Sequence, residues 1–127
     1  LHVRRAVDPV LKQLRLIRVR GGIAHAFNGS RQQADEFIKL GFGLGFGGAM
    51  TFSGSTRIRE QAKTLPLESI VLETDAPDIP PAWLNGGRNT PAELVRCADV
   101  LAELRGISRA EVVAATSANA RRILPGI

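Results

Sequence analysis

Residues 71–77 read VLETDAP: an apolar pair runs directly into Glu73, Thr74 and Asp75 and then into a proline. The run SIVLE, which contains the start of this stretch, predicts a buried strand, because short apolar runs beside turn residues are typical of parallel sheets. Carboxylates at the end of a buried strand cost free energy of desolvation unless something compensates them. A bound metal, a proton relay and exposure at the mouth of a loop are the three explanations that the stretch leaves open.

Short apolar runs alternate with helical patterns along the rest of the chain. Four strands are predicted, in the segments LHVR (1–4), GGIAHAF (21–27), FGLGF (42–46) and SIVLE (69–73). A helix follows each strand, and a fifth helix lies near the end of the chain. This order predicts an α/β fold of about four parallel (β/α) units, forming a single domain over residues 1–127.

Capping residues predict where four of these helices begin. Asp8, which a proline follows, is predicted to cap the first helix, and Ser30 is predicted to cap the second. The segments TPAE (90–93) and SRAE (108–111) have the spacing of capping boxes and predict the starts of the last two helices.

Composition limits the classes of partner and compartment. The 17 Lys and Arg residues outnumber the 12 Asp and Glu residues, and the net charge of +5 favours an anionic partner such as nucleic acid, although many basic proteins have none. The single Cys97 excludes an internal disulfide, and its alignment with apolar helix positions predicts a core residue. No apolar run approaches the roughly 18 residues of a membrane helix, and the start of the chain does not resemble a signal peptide. We therefore expect a cytoplasmic protein without a membrane partner.

The two histidines and Asp75 occupy the same position in the repeating unit. His2 ends the first predicted strand, His25 ends the second, and Asp75 follows the fourth. In a (β/α) barrel these positions meet at the rim where active sites form. Two imidazoles and a carboxylate suit a divalent metal. The competing interpretation, that each histidine is a hydrogen-bonded core residue, is weakened because these are the only two histidines of the chain.

The segment 43–48 reads GLGFGG and fits the G-x-G-x-x-G pattern of dinucleotide-binding folds. Its glycines alternate within a predicted strand, however, and no helix begins directly after Gly48. A dinucleotide site is therefore not favoured. We expect the glycines to leave room for whatever lies at the centre of the sheet.

Several stretches together resemble the TatD family of metal-dependent deoxyribonucleases. LPLESIVLETDAP (65–77) resembles an acidic signature of that family, and HAFNGS (25–30) resembles its H-x-F-x-G-S motif. The supporting stretches, in the expected order, are LHVRRA (1–6), GFGLGFGG (41–48), GGRNTPAEL (86–94) and GISRAEVVAATSANARRIL (106–124). The resemblance extends over essentially the whole chain.

The resemblance implies a TIM-like, amidohydrolase-like (β/α)8 barrel, of which this chain would be the C-terminal half. It implies a hydrolase that cleaves phosphodiester bonds of DNA, in single strands as for some members, by means of a metal-activated water. The implied cofactor is a divalent ion, Mg²⁺ or Zn²⁺, in a two-metal site. An H-x-H motif and a bridging glutamate of that site would come from an N-terminal half, missing by truncation, proteolysis or a partial gene.

The resemblance also assigns roles to residues of the site. It implies that His2, His25 and Asp75 are metal ligands, and that Asp75 is in addition the catalytic group that accepts a proton from the water. Glu73 has the same strand parity as Asp75, and we expect it to support the ligands through a hydrogen bond, with a structural salt bridge as the alternative.

Three further residues are implied to bind the substrate. Arg4 shares the parity of His2 and is expected to meet a phosphate through its guanidinium. Arg88 and Asn89 lie in the predicted rim loop before a helix. For Asn89, ordering the start of that helix is an equally weighted alternative.

Two other functional classes stay open: a non-catalytic fragment that binds nucleic acid or protein, and a related metal-dependent amide or ester hydrolase. Half of a closed barrel has two free sheet edges. We therefore expect the chain to associate with itself or with a missing N-terminal half, and not to be an active monomer. The inner apolar residues expected to be exposed are Ile23, Leu44, Phe46, Val71 and Leu72.

Overall fold

A computed structural model describes residues 1–126 of the chain. In this range it contains three strands, β1 (Gly22–Ala24), β2 (Phe42–Phe46) and β3 (Ile70–Leu72). The five α-helices are α1 (Val7–Leu16), α2 (Arg31–Lys39), α3 (Thr56–Thr64), α4 (Leu94–Arg105) and α5 (Arg109–Ile123). Within residues 1–126 no helix combines the length and the apolar composition that crossing a membrane demands.

The three strands form one parallel sheet in the order β1-β2-β3. The predicted parallel α/β fold is therefore confirmed, but the predicted first strand is reduced to a single parallel bridge between His2 and His25. The reason is local: Arg5 adopts a φ of 55°, in the left-handed region, which ends the extended conformation soon after His2. One bridge nevertheless keeps His2 at the same end of the sheet as His25.

Two of the predicted helix caps are confirmed. The Ser30 hydroxyl accepts a hydrogen bond from the Gln33 N–H, and the Gln33 side chain accepts one from the Ser30 N–H. Ser108 and Glu111 form the same reciprocal arrangement at the start of α5. Each capping box satisfies backbone N–H groups that the first helical turn leaves without partners.

The predicted cap at Asp8 is wrong, and at Thr90 the helical segment begins as predicted but without its capping box. Helix α1 begins one residue before Asp8, whose carboxylate instead accepts a hydrogen bond of 2.7 Å from Nε2 of Gln33 on α2. A short 3₁₀ turn separates Thr90 from α4. Its capping box does not close because the Glu93 carboxylate accepts a hydrogen bond from the Trp83 indole N–H.

The hydrophobic core contains Leu44 and Phe46 of β2, which alternate with Gly43 and Gly45 and therefore point to the opposite face of the sheet. Val71 is buried as well, so the expected exposed apolar inner face is wrong for these three residues. The other two residues of that set, Ile23 and Leu72, are half-buried. Beside Gly43, on the glycine face of β2, the side chain of Ile123 takes the space that a Cβ would need.

The predicted core position of Cys97 is confirmed, with 3% of the residue exposed.

Side-chain hydrogen bonds to backbone carbonyls fix the helices around β3. Asn119 of α5 donates through Nδ2 to the carbonyl oxygens of Leu67 and Ile70, both at 2.8 Å. Arg105 of α4 donates to three carbonyl groups at the end of α3, which lack partners within that helix. These bonds set the position of the strand that leads into Glu73.

Candidate metal centre

His25 follows β1 and lies between two carboxylates that follow β3. Its Nδ1 atom is 3.1 Å from Oε1 of Glu73, and its Nε2 atom is 2.8 Å from Oδ1 of Asp75. All three side chains are partly exposed, at 27% for His25, 18% for Glu73 and 23% for Asp75. The parallel sheet brings them together because the carboxyl ends of its strands meet at one edge.

His2 lies beside this cluster. Its imidazole centroid is 5.5 Å from that of His25, with an angle of 33° between the ring planes, and the two residues share the parallel bridge. His2 is exposed. The structure therefore places His2 next to the pair formed by His25 and Asp75, on the same end of the sheet.

The glycine at position 45 makes room for Glu73. A Cβ at Gly45 would overlap the Glu73 carboxylate, and a Cβ at Gly47 would overlap its carbonyl oxygen. The Glu73 carboxylate also accepts a hydrogen bond from the backbone N–H of Ala26, which has a φ of 47°. The glycines thus leave space as expected, and the carboxylate that holds His25 occupies that space.

Burial raises the pKa of the Glu73 carboxyl above its ordinary value. The Ala26 N–H and the neighbouring His25 act in the opposite direction, and Asp75 adds a smaller raising effect. Burial is the largest of these causes. Glu73 therefore lies in a poorly solvated position in which hydrogen bonds from the protein replace those from water.

A cavity of about 810 Å³ opens over the cluster. Of the predicted site residues, the cavity is lined by His2, Arg4, His25, Glu73 and Asp75. The cluster and the predicted phosphate-binding Arg4 therefore face one common space.

Arg88 and Asn89 do not line this cavity. Arg88 is exposed, whereas Asn89 is buried, with 4% of the residue exposed, and its Nδ2 donates a hydrogen bond of 2.7 Å to the carbonyl oxygen of Asp78. The buried position of Asn89 favours an ordering role, in the loop that follows Asp75, and its substrate-binding role stays a prediction. The position of Arg88 gives no support to a contact with substrate in the cavity.

The distance between the donor atoms of His25 and Asp75 matches the spacing of two ligands on one divalent ion. Two ligands at about 2.0–2.2 Å from one ion lie roughly 2.8–3.5 Å apart, and the 2.8 Å between His25 Nε2 and Asp75 Oδ1 falls at the short end of that range. Over the part of the chain that the structure describes, no three His, Cys, Asp or Glu side chains form a ready metal site. His25 and Asp75 fit as adjacent ligands, and His2, whose ring centroid is 5.5 Å from that of His25, is a further imidazole at the same end of the sheet.

The cavity residues that the sequence did not identify include Arg5, Asn28 and Arg57. Arg57 lies in the first turn of α3, and its guanidinium bonds to Asn28 of a distant loop. The HAFNGS stretch pointed to the region of Asn28. Nothing in the local sequence around Arg57 identifies its partner, because the contact depends on how α3 packs.

The comparison with protein families decides the relationship. The family described as TatD related DNase matches residues 1–125. The chain belongs to this family. The TatD relatives include the "Uncharacterized metal-dependent hydrolase YjjV" of Escherichia coli K12, which is 42% identical over 106 residues, or 83% of this chain and 41% of the relative. Another is the Mus musculus protein named "Putative deoxyribonuclease TATDN3", 34% identical over 125 residues, or 98% of this chain and 41% of the relative.

Solved TatD structures share the fold. The crystal structure of YjjV, a TatD homologue from Escherichia coli K12, superposes with a TM-score of 0.92 at 38% identity, covering 98% of this chain and 48% of that one. A TatD family hydrolase from Entamoeba histolytica has a TM-score of 0.81 at 18% identity, which supports the fold alone. This chain spans about half the length of the relatives that it matches.

Proposed function

We propose that this chain supplies part of the metal centre of a TatD-type hydrolase that cleaves phosphodiester bonds of DNA. The observation that carries the proposal is the position of His25, held between Glu73 and Asp75 at the floor of an 810 Å³ cavity. A histidine held by one carboxylate and adjacent to a second is the arrangement in which imidazole serves as a metal ligand.

His25 Nε2, Asp75 and His2 are the groups that would hold the divalent ion. Bound there, Mg²⁺ or Zn²⁺ would act as a Lewis acid on a phosphate oxygen and lower the pKa of a water molecule. The described residues offer two adjacent donors, so the two-metal centre implied by the resemblance needs further donors.

Glu73 sets the orientation and the tautomer of His25. When its carboxylate accepts the Nδ1–H of His25, the lone pair of Nε2 is directed toward Asp75 and the cavity. The space at Gly45 and the Ala26 N–H keep Glu73 in place. Glu73 thus acts through His25 and has no direct contact with substrate in this proposal.

Asp75 is the proposed proton acceptor. Its Oδ1 atom faces His25, which leaves Oδ2 available to accept a proton from the attacking water. Arg4, which lines the same cavity, would bind the phosphate whose ester bond is cleaved. The net charge of +5 and the deoxyribonuclease name of the mouse relative both favour DNA as the substrate, and its single-stranded form is the part of the proposal that the family resemblance implies.

The test is release of nucleotides from single-stranded DNA by the chain in its associated form, as a self-associated oligomer or mixed with the other half of a TatD barrel, with and without Mg²⁺ or Zn²⁺. We expect metal-dependent release that falls at least about a hundredfold in Asp75→Asn, which keeps the shape of the side chain but removes the proton acceptor. Asp78→Asn, a change at an exposed carboxylate of the same loop, is the matched control and should keep its activity. Binding of DNA without any cleavage would instead support the non-catalytic alternative.

A further inference from the structure

Arg57 has its guanidinium fixed at the wall of the cavity. Its Nη2 atom donates to the backbone oxygen and to Oδ1 of Asn28, both at 3.0 Å, and its Nε donates to the same Oδ1 at 3.2 Å. Both partners lie in the cavity lining, although they are far apart in sequence. A long side chain at an exposed helix start is thereby held in one orientation.

The positive charge of Arg57 is not neutralised by the protein. Asn28 offers only neutral oxygens, and among residues 1–126 no ion pair joins Arg57 to a carboxylate. Three other arginines, Arg15, Arg31 and Arg109, each pair with an acidic side chain, whereas within the described range Arg57 does not. The cavity therefore carries a guanidinium whose charge is available to a ligand.

The hydrogen-bonding capacity of Arg57 is also incomplete. A guanidinium has five N–H groups, and the bonds to Asn28 use Nε and Nη2. Within the described residues, Nη1 donates to no protein atom. The two N–H groups of Nη1 on this fixed cation are left to donate to the oxygens of a phosphate group.

From these contacts we propose that Arg57 binds a backbone phosphate of single-stranded DNA, beyond the phosphate that is cleaved, and that Asn28 positions its guanidinium. The inference rests on the proposed function and adds a second point of contact along the strand. Arg57 makes no ion pair with Glu73 or Asp75, so its guanidinium lies more than 4.0 Å from their carboxylate oxygens. The site would therefore favour strands of several nucleotides over a single phosphodiester.

A purely structural role for Arg57 makes a different prediction. Gln61, one turn further along α3, donates a hydrogen bond of 2.9 Å to the carbonyl oxygen of Gly29. Arg57 and Gln61 together hold the loop at Asn28 and Gly29 against the helix. If holding this loop were its whole purpose, loss of Arg57 would loosen the loop without changing how DNA binding depends on salt.

The test is a binding titration of the purified chain with a fluorescein-labelled oligothymidylate of about ten nucleotides, a length typical of single-strand sites. Fluorescence anisotropy, measured in chelator at several salt concentrations between about 50 and 200 mM, gives the slope of log K against log salt. Each phosphate contact contributes about 0.7 to that slope for single strands. Arg57→Gln should reduce the slope by about 0.7, which corresponds to about fivefold weaker binding at roughly 0.1 M salt.

Three further variants make the test specific. Arg57→Lys keeps the charge and should keep the slope, and Asn28→Ala should weaken binding at an unchanged slope. Arg122→Gln is the matched control, because Arg122 is also an exposed arginine that donates to a backbone carbonyl, but outside the cavity. Circular dichroism checks that each variant is folded. If Arg57→Gln is not folded, the slopes of Arg57→Lys and Asn28→Ala decide whether the assignment of Arg57 holds.

An unchanged slope in folded Arg57→Gln, or a lower slope in Arg57→Lys or Asn28→Ala, would overturn the assignment of Arg57 and leave the proposed function standing. If the wild-type chain shows no salt-dependent binding of the oligothymidylate, DNA as the substrate fails and the Arg57 assignment fails with it. The two failures are therefore distinguished by the wild-type titration alone.

Discussion

His25 is the residue through which the site is organised. One of its nitrogens faces Glu73 and the other faces Asp75, so the orientation of the ring depends on both carboxylates. Such supporting hydrogen bonds are as much a part of a metal site as the ligands themselves. The absence of a side chain at Gly45 is what allows Glu73 to reach His25.

Replacing Gly45 by Ala should displace Glu73, because the new methyl group would occupy the position of its carboxylate. We expect a loss of about 1–3 kcal/mol in the free energy of unfolding, as is usual for overpacking, and roughly 10- to 100-fold weaker metal binding. Chemical denaturation and metal titration measure the two effects. Gly54→Ala is the matched control, since no atom lies within 4 Å of a Cβ at Gly54. Equal behaviour of the two variants would show that Glu73 does not depend on the space at Gly45.

Cys97 should be an unreactive thiol. Burial raises its pKa to about 11 from an ordinary value of 9.0, so below pH 9 the reactive thiolate is populated about a hundredfold less than in an ordinary cysteine. Iodoacetamide labelling followed by mass spectrometry should be slow in the folded chain and fast in denaturant. Rapid labelling of the folded chain would contradict the core position.

At the residue scale, the sequence predicted the locations of those site residues that lie at the ends of strands. The neighbouring positions of His25 and Asp75 followed from their places at the ends of strands. The role of Asn89 did not, because its buried contact with Asp78 depends on the fold of a loop. The link between Arg57 and Asn28 was equally hidden, since it joins a helix to a loop through packing.

At the scale of the elements, the predictions succeeded where the signal was local. Helices α2 and α5 begin where their capping boxes predicted, because a cap is a local interaction. The first strand was shortened to one bridge by the backbone conformation of Arg5, which has no signal in the residue type. The TPAE segment failed as a cap because Trp83 competes for the Glu93 carboxylate.

The attachment of α5 to β3 depends on Asn119. Asn119→Ala would leave the buried carbonyl groups of Leu67 and Ile70 without their shared donor, and we expect a loss of about 2–4 kcal/mol in the free energy of unfolding. Thermal and denaturant unfolding measure the loss. Ser117→Ala on the same helix, where the described side chain has no hydrogen bond, should change the stability by less than about 0.5 kcal/mol. A similar small effect at Asn119 would mean that packing alone holds α5 in place.

For the whole molecule, the parallel α/β class was predictable because the alternation of strands and helices extends along the entire sequence. The exposed inner face was predicted wrongly, since β2 places glycines on that face and its large residues among the helices. Association with a second copy or with another half of a barrel stays a prediction, as do the single domain and the cytoplasmic location. The structural reason to expect association is the edge of β3, which pairs only with β2 in the described chain.

The central claim is that His25 and Asp75 hold a divalent ion, with His2 as a further donor. Isothermal titration calorimetry of the purified chain with Zn²⁺ or Mn²⁺ tests it most directly. We predict saturable binding to the wild-type chain, a loss of at least about tenfold in affinity in His25→Ala and in Asp75→Asn, and wild-type affinity in the control Asp78→Asn. Absence of saturable binding to the folded wild-type chain, or equal affinity in Asp75→Asn and Asp78→Asn, would contradict the claim.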